Sequence, residues 1–520
     1  MAGDHSSDHV RAPGKVWLVG AGPGDPGLIS VRGLEVLASA EVVLHDALAH
    51  PALLDACRGA ELRNVGKRFG EPSSAQEPIN RELIELARAG KRVVRLKGGD
   101  PLLFARGAEE ALALAAAGVK FEIVPAVSSP MGAATYAGIP LTHRDLSSSV
   151  TFITGSDRAG EAWSPEAWKK LATATDTICV LMGMRRLEEI AQAVIAGGRD
   201  PGTPVAVIQW GARPEQRVAI GTLANITATV QREGLKNPAV IVVGEVVRLR
   251  EELRWYDTQP LFGKRVLVPR ALEQAERTAK AIRARGAEPV LVPLIEFHPP
   301  PDRAPLLRAV GALSTYEWVL FTSENGVERT FSALRERGGD ARAFGTAKVG
   351  AIGPRTADAL ARYGIAADLV AEEHVGEGLA RDLLARGRPK RVLIARALVA
   401  RDELPRLLRE AGAEVDVVAA YETRPVPVAT VLERLDEARA DVVLLTSSSI
   451  ARSLVTALGP RARDHLASLT VASIGPITTK TAEELGVRVD VAAPVHTLDG
   501  LLDALERHFP GAPLPAAPRE

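Results

Sequence analysis

Val16-Trp-Leu-Val-Gly-Ala-Gly-Pro-Gly-Asp-Pro-Gly27 decides how the first half of this chain is read. An apolar run ending in Gly-Ala-Gly has the outline of a dinucleotide-binding turn, where a strand feeds a helix whose free backbone N–H groups hold a pyrophosphate. Pro23 and Pro26 stand where that turn needs free N–H groups. Asp46, after the next apolar run, is the one residue that supports a nicotinamide cofactor, and the motif alone is prone to false positives. The stretch is therefore taken as a strand followed by a glycine-rich loop of another kind.

Working outward, short apolar runs recur at Glu41–His45, Arg92–Leu96, Phe121–Val124, Val150–Thr154, Thr177–Met182, Val205–Gln209 and Val240–Val243. Each is followed by a helical pattern, which points to an α/β fold with largely parallel strands. Ser30 is placed to cap a helix over Val31–Ala40, and Ala89-Gly90 ends the helix before Lys91. Periodicity stops in Arg254-Trp-Tyr-Asp-Thr-Gln-Pro-Leu-Phe-Gly-Lys264, which sets a domain boundary near residue 259. Beyond it the chain repeats itself. Phe321-Thr-Ser-Glu-Asn-Gly-Val327 is echoed by Leu445-Thr-Ser-Ser-Ser-Ile450, and Ala351-Ile-Gly-Pro-Arg-Thr-Ala357 by Ser473-Ile-Gly-Pro-Ile-Thr-Thr479. Two similar α/β lobes facing across a ligand-binding cleft account for the echo.

The 520 residues exceed one ordinary domain, and 46% hydrophobic with 25% charged residues is the balance of a globular protein. Net charge is zero, so neither nucleic acid nor an acidic membrane is an expected partner. Cys57 and Cys179 have no CxxC partner or neighbouring His cluster, so no metal site or disulfide framework is expected. No apolar run reaches eighteen residues and the start is polar, so a cytoplasmic protein is expected. Residues 1–13 and 509–520 read as disordered tails.

Six segments in order make the first half resemble the uroporphyrinogen III C-methyltransferases of the tetrapyrrole methylase family. They are Gly20-Ala-Gly-Pro-Gly-Asp25, Leu44-His-Asp-Ala-Leu48, Val65-Gly-Lys-Arg68, Arg95-Leu-Lys-Gly-Gly-Asp-Pro101, Val124-Pro-Ala-Val-Ser-Ser129 and Leu181-Met-Gly-Met184. The resemblance implies two α/β subdomains with S-adenosylmethionine between them, and a homodimer through this half. It implies cofactor contacts at Pro23, Gly98, Gly99, Asp100, Leu103, Ser128, Ser129, Met182 and Gly211, with Asp46 the proton acceptor and Lys67 the proton donor. Gly98 and Gly99 suit close backbone approach to a cofactor. Arg68, Arg95, Lys97 and Arg144 are candidates for the carboxylates of an octacarboxylate substrate, from charge and place. Read singly, such glycines close turns, Met182 fills core, Asp46 caps a helix and each cation is a solvated surface group. The ordered set lifts them above those readings. Three residues depart from the family pattern: Ala47 for Arg, Ala126 for Gly and Ser156 for His.

From about Phe262 to Leu505 the chain resembles uroporphyrinogen III synthase. The resemblance is carried by Gly263-Lys-Arg-Val-Leu-Val-Pro-Arg270, the two echoed pairs and Tyr421-Glu-Thr423. It implies a bilobed α/β fold that closes hydroxymethylbilane with loss of water and inversion of the last ring, without a metal. Tyr421 is then the candidate to assist loss of the hydroxyl. Thr322, Ser323, Thr446, Ser447 and Ser448, at strand-to-helix turns, would meet substrate carboxylates, with Arg270, Arg355, Arg396 and Lys480 as further cations. Ordinary helix caps and a half-buried packing tyrosine are the plainer readings of the same residues.

Together the resemblances imply a tail at 1–13, a methyltransferase at 14–255, a linker at 256–262, a synthase at 263–508 with one lobe at roughly 300–419, and a tail at 509–520. The implied product is precorrin-2, released for siroheme or cobalamin synthesis, since no length remains for a dehydrogenase and ferrochelatase module. A methylase of a later precorrin joined to a non-catalytic synthase-like binding module is the rival.

Overall fold

The computed structural model describes residues 14–57, 59–66, 76–156 and 163–509. The chain divides at Lys264/Arg265 into two compact units, with 281–288 and the residues from 502 onward counted with the first.

In the first unit, β1 (Lys15–Gly20), β2 (Val42–His45), β3 (Glu61–Asn64), β4 (Arg92–Lys97) and β5 (Lys120–Val124) form one sheet in the order β3-β2-β4-β1-β5. All its pairings are parallel, so every strand delivers its following loop to the same edge. Ser30 Oγ accepts the Gly33 N–H at 3.1 Å and starts the helix Val31–Ser39, a cap worth about 1 kcal/mol. The helix Gln76–Arg88 gives way to Gly90, whose φ of +79° suits glycine.

The second sheet holds β6 (Val150–Thr154), β7 (Thr177–Leu181), β8 (Pro204–Gln209), β9 (Arg217–Thr222) and β10 (Ala239–Val243) in the order β6-β7-β10-β8-β9. The expectation of largely parallel strands fails here. Only β6 and β7 run parallel, and β10 lies antiparallel to both neighbours. A strand covered on both faces is apolar along its length whichever way its neighbours run.

The segment expected as a linker is packed rather than free. Tyr256 and Leu261 are buried. Ring centroids of Tyr136 lie 5.1 Å from Trp255 and 4.8 Å from Tyr256, and Tyr256 lies 5.3 Å from Phe262. Arg250 adds bonds to Asp257 and to the Ala137 carbonyl. Aromatic burial needs no sequence period, so the absence of periodicity there did not mean looseness.

In the second unit, β11 (Arg265–Val268), β12 (Glu288–Leu291) and β13 (Ile295–His298) are followed by β14 (Trp318–Phe321), β15 (Lys348–Ala351) and β16 (Leu369–Val370). β17 (Arg391–Ala397), β18 (Glu414–Pro425), β19 (Val442–Leu445), β20 (Thr470–Ser473) and β21 (Val491–Ala492) complete it. Two sheets result, β12-β11-β19-β20-β21 and β13-β18-β17-β14-β15-β16. The chain crosses between them twice. Leu294 and Val426 sit in one core while Phe297 and Tyr421 sit in the other, and Val426 N donates to Leu294 O at 3.0 Å at the crossing.

The sequence echo is a structural repeat. β14, β15 and β16 alternate with the helices Glu324–Glu336, Pro354–Ala361 and Gly376–Ala385. β19, β20 and β21 alternate with Ser448–Leu458, Pro476–Glu484 and Leu498–His508. Ser323 and Ser447 cap equivalent helices by accepting from Gly326 N and Ile450 N. The repeat also includes a feature outside the quoted motifs: His374 lies against Gly353 and His496 against Gly475, leaving 3.1 and 2.7 Å for any added Cβ.

Candidate functional site

The loops after β1 and β4 meet at the carboxyl edge of the first sheet. Gly22 and Gly99 exchange backbone hydrogen bonds of 3.3 and 2.9 Å, and both have positive φ, +77° and +68°. Asp100 joins a third loop to this pair, accepting from Leu102 N at 2.8 Å and from Ala126 N, after β5, at 3.1 Å. A carboxylate has further lone pairs, so Asp100 keeps acceptor capacity for a ribose or amino group. Ala126 fills the loop: a Cβ on Gly20 would come within 2.6 Å of its methyl.

Around these loops the packing leaves no room for side chains. A Cβ on Gly99 would stand 2.8 Å from Ser129 Oγ, one on Gly211 2.4 Å from Ala133, and one on Gly24 2.8 Å from Gly211 O. Pro23, Gly99, Asp100, Ser129 and Gly211 therefore share one junction, with Ser128 buried at the start of the helix Ser129–Tyr136. At Gly98, beside it, an added Cβ would meet only Leu48 among the described residues, at 3.5 Å, so that face is open among them. Leu103 is half-buried on the β4 loop, and Met182 is exposed after β7 with φ +55°. Among the described residues, non-glycine positive φ occurs at Phe104, Arg106, Met182, Trp210 and Ala212 in this unit, all on these loops, and at Arg439 elsewhere. Held strain of this kind gathers at ligand sites. The donors, open glycine face and close-packed loops fit a nucleoside cofactor.

Gly132 gives a direct test of the junction. An added Cβ would lie 2.3 Å from Pro23 Cγ. Gly132→Ala should displace the Pro23 loop and weaken binding of S-adenosylmethionine, the cofactor that the resemblance implies, by about tenfold or more, read by titration calorimetry.

Asp46 follows β2 and faces this junction. One carboxylate oxygen takes Arg95 Nη2, and the other accepts Gly98 N at 3.3 Å. Arg95 and Lys97, expected to meet substrate carboxylates, have internal partners instead. They are 3% and 2% exposed, and both donate to Glu110 Oε1, at 3.1 and 2.9 Å. Alternation along β4 puts positions 95 and 97 on one face, and the helix Gly107–Ala116 covers that face. Burial, then the neighbouring Arg95 charge, hold the Lys97 ammonium below its usual pKa, with Glu110 opposing. Glu110 was missed by sequence reasoning. Lys67 and Arg68 lie outside the described residues, and Arg144 is exposed.

In the second unit Tyr421 OH lies 3.1 Å from Ser323 Oγ, and its ring packs edge-on against Phe297 at 5.4 Å. Thr322 is half-buried beside them. In the equivalent turn Ser447 pairs with Ser449 at 2.9 Å, Ser448 accepts from Thr481 at 3.0 Å, and the buried Thr446 Oγ1 has no hydrogen bond among the described residues. Arg355 pairs with Glu324 at 2.8 Å, Arg396 with Asp402 at 3.1 Å, and Lys480 is exposed. Burial and then the charge of Arg355 lower the pKa of Arg270.

Among the described residues no group of three or more His, Cys, Asp or Glu is arranged to hold a metal, and no helix is long and apolar enough to cross a membrane. Cys57 and Cys179 are buried free thiols, and burial pushes Cys179 up to about 12.

The family model for tetrapyrrole (corrin/porphyrin) methylases matches residues 15–227, and that for uroporphyrinogen-III synthase HemD matches 276–503. The chain is 36% identical over 497 residues to the porphyrin biosynthesis protein HemD of Ruminiclostridium josui, covering 95% of this chain and 97% of that one. It is 39% identical over 356 residues to the uroporphyrinogen-III C-methyltransferase of Bacillus subtilis (strain 168), covering 68% and 73%. The siroheme synthase of Azotobacter vinelandii is 50% identical over 248 residues, covering 48% of this chain and 53% of that protein, so the chain spans about half its length.

Proposed function

The chain belongs to the family in which a tetrapyrrole methylase is joined to a uroporphyrinogen-III synthase, and from that membership we propose two successive reactions. The second unit closes hydroxymethylbilane to uroporphyrinogen III, with loss of water and inversion of the last ring. The first methylates that product twice to give precorrin-2.

S-adenosylmethionine, when bound, supplies a methyl group on a sulfonium that leaves as a thioether. The protein's own task is to bring an electron-rich pyrrole carbon in line with that methyl and to take up the proton the ring then loses. Asp46 is the acceptor in this reading. The observation that carries it is its placement: one oxygen on Arg95, the other on the N–H of Gly98, at the edge of the glycine junction. A carboxylate tied at both oxygens is oriented before substrate arrives.

The bilane also closes unaided, to the uninverted isomer, so the synthase has to hold one folded conformer. The hydroxyls at the paired turns, with Tyr421 against Ser323, are suited to that by hydrogen bonding and to assisting departure of the hydroxyl.

The test is anaerobic turnover of fresh hydroxymethylbilane with and without S-adenosylmethionine. Type III uroporphyrin without the donor and a dimethylated product with it are expected. Type I isomer alone would refute the synthase, and type III without methylation would refute the methyltransferase.

A further inference from the structure

The buried ion group under β4 is larger than proton transfer at Asp46 requires. Glu110 is 0% exposed, yet one of its oxygens receives three donors: Arg95 Nε at 3.1 Å, Lys97 Nζ at 2.9 Å and Gln76 Nε2 at 3.0 Å. Taking a carboxylate out of water costs heavily unless such partners are in place. The set balances, with Arg95 and Lys97 against Glu110 and Asp46.

The loop after β4 delivers Glu110 to this position. Gly107 N donates to Pro101 O at 3.0 Å, and a Cβ on Gly107 would stand 2.2 Å from the same carbonyl. The first turn of the helix Gly107–Ala116 is thereby held against the Gly98–Pro101 loop, with Arg106 before it forced to φ +60°. Glu109 on that turn pairs with exposed Arg106, while Glu110 points inward.

Arg95 has no route to substrate, being buried, but its donors are shared out in one plane. Nε goes to Glu110, Nη2 to Asp46, and Nη1 to the carbonyls of Leu44 and Leu96 at 3.4 and 3.1 Å. A guanidinium is rigid and flat, so the position of the group on Nε sets the direction of Nη2. We infer that Glu110 is a positioning residue for methyl transfer, which acts by fixing the Arg95 fork so that Asp46 presents its carboxylate at the Gly98 edge. This rests on the reading of Asp46 as proton acceptor.

The test is a double-mutant cycle on the full chain, with S-adenosylmethionine binding by calorimetry to show that the first unit is folded. Glu110→Ala should lower kcat for methylation by about 10- to 100-fold, with KM for S-adenosylmethionine within about twofold of wild type. Glu110→Gln, whose amide oxygen still accepts from Arg95, should recover most of the loss. In an Asp46→Asn background Glu110→Ala should have no further effect. An equal loss in both backgrounds, or wild-type kcat in Glu110→Ala, would overturn the inference. If Glu110→Ala does not fold, Arg95→Lys reads the same link from its other end: a kcat loss absent from the Asp46→Asn background supports it, and an additive loss overturns it. Wild-type kcat in Asp46→Asn alone would refute the reading of Asp46, and the inference with it.

Discussion

Asp46→Asn should slow methylation by about 10²- to 10⁴-fold, while the same chain goes on making type III uroporphyrinogen at its normal rate. The substitution keeps the size and shape of the side chain. An amide oxygen still accepts one hydrogen bond, from Gly98 N or from Arg95, but the group no longer takes up a proton. The proposed cofactor junction of Pro23, Gly99, Ser129 and Gly211 is held by the Gly22–Gly99 backbone bonds and by close packing in which Asp46 takes no part, so S-adenosylmethionine affinity should change little. The measurement is formation of dimethylated product from enzymatically supplied uroporphyrinogen III, beside calorimetric binding. A rate within threefold of wild type would remove Asp46 from the chemistry.

Tyr421→Phe should lower the enzymatic ring closure by about 10- to 100-fold and shift the product toward the type I isomer, because spontaneous closure continues at its own rate. Only the hydroxyl is removed. The ring keeps its edge contact with Phe297, and Ser323 still caps its helix through Gly326 N, so the stability cost is about 1 kcal/mol. Chromatography of the oxidised porphyrins gives the isomer ratio directly. A wild-type ratio would make Tyr421 a packing residue, which its near-complete burial otherwise allows.

The parts of the fold that sequence made legible are those with a strong local cause. The helix after Ser30 and the glycine stop after Arg88 follow from capping chemistry, and the paired Thr-Ser and Gly-Pro turns follow from repetition. β3, Glu-Leu-Arg-Asn, escaped because an exposed edge strand has no apolar signature. β9 escaped too, its burial broken by exposed positions. The direction of β10 was illegible because its Val-rich run is buried on both sides regardless of pairing.

For the candidate site, glycines and Asp46 stood out by pattern, whereas partners did not. Glu109 and Glu110 are identical neighbours in an Ala-rich helix, and one is exposed and the other fully buried. Nothing local separates them. The difference arises from the rotation imposed where Gly107 meets Pro101, a tertiary contact. Arg95 and Lys97 misled for the complementary reason: charge in a strand suggests a partner in solution, and theirs comes from a helix more than ten residues on.

The packed strap at Arg254–Lys264 has an optical consequence. Trp255 donates from Nε1 to Thr135 O at 3.1 Å and touches the ring of Tyr136, whose hydroxyl binds Asp25 at 2.7 Å, two residues from Pro23. An indole so placed, partly open to water, reports by its emission on the position of the loop that Pro23 anchors. Trp255, one of six tryptophans in the chain, should therefore change its emission when S-adenosylmethionine is added if the Pro23 loop shifts on binding, and a Trp255→Phe variant should lose that change.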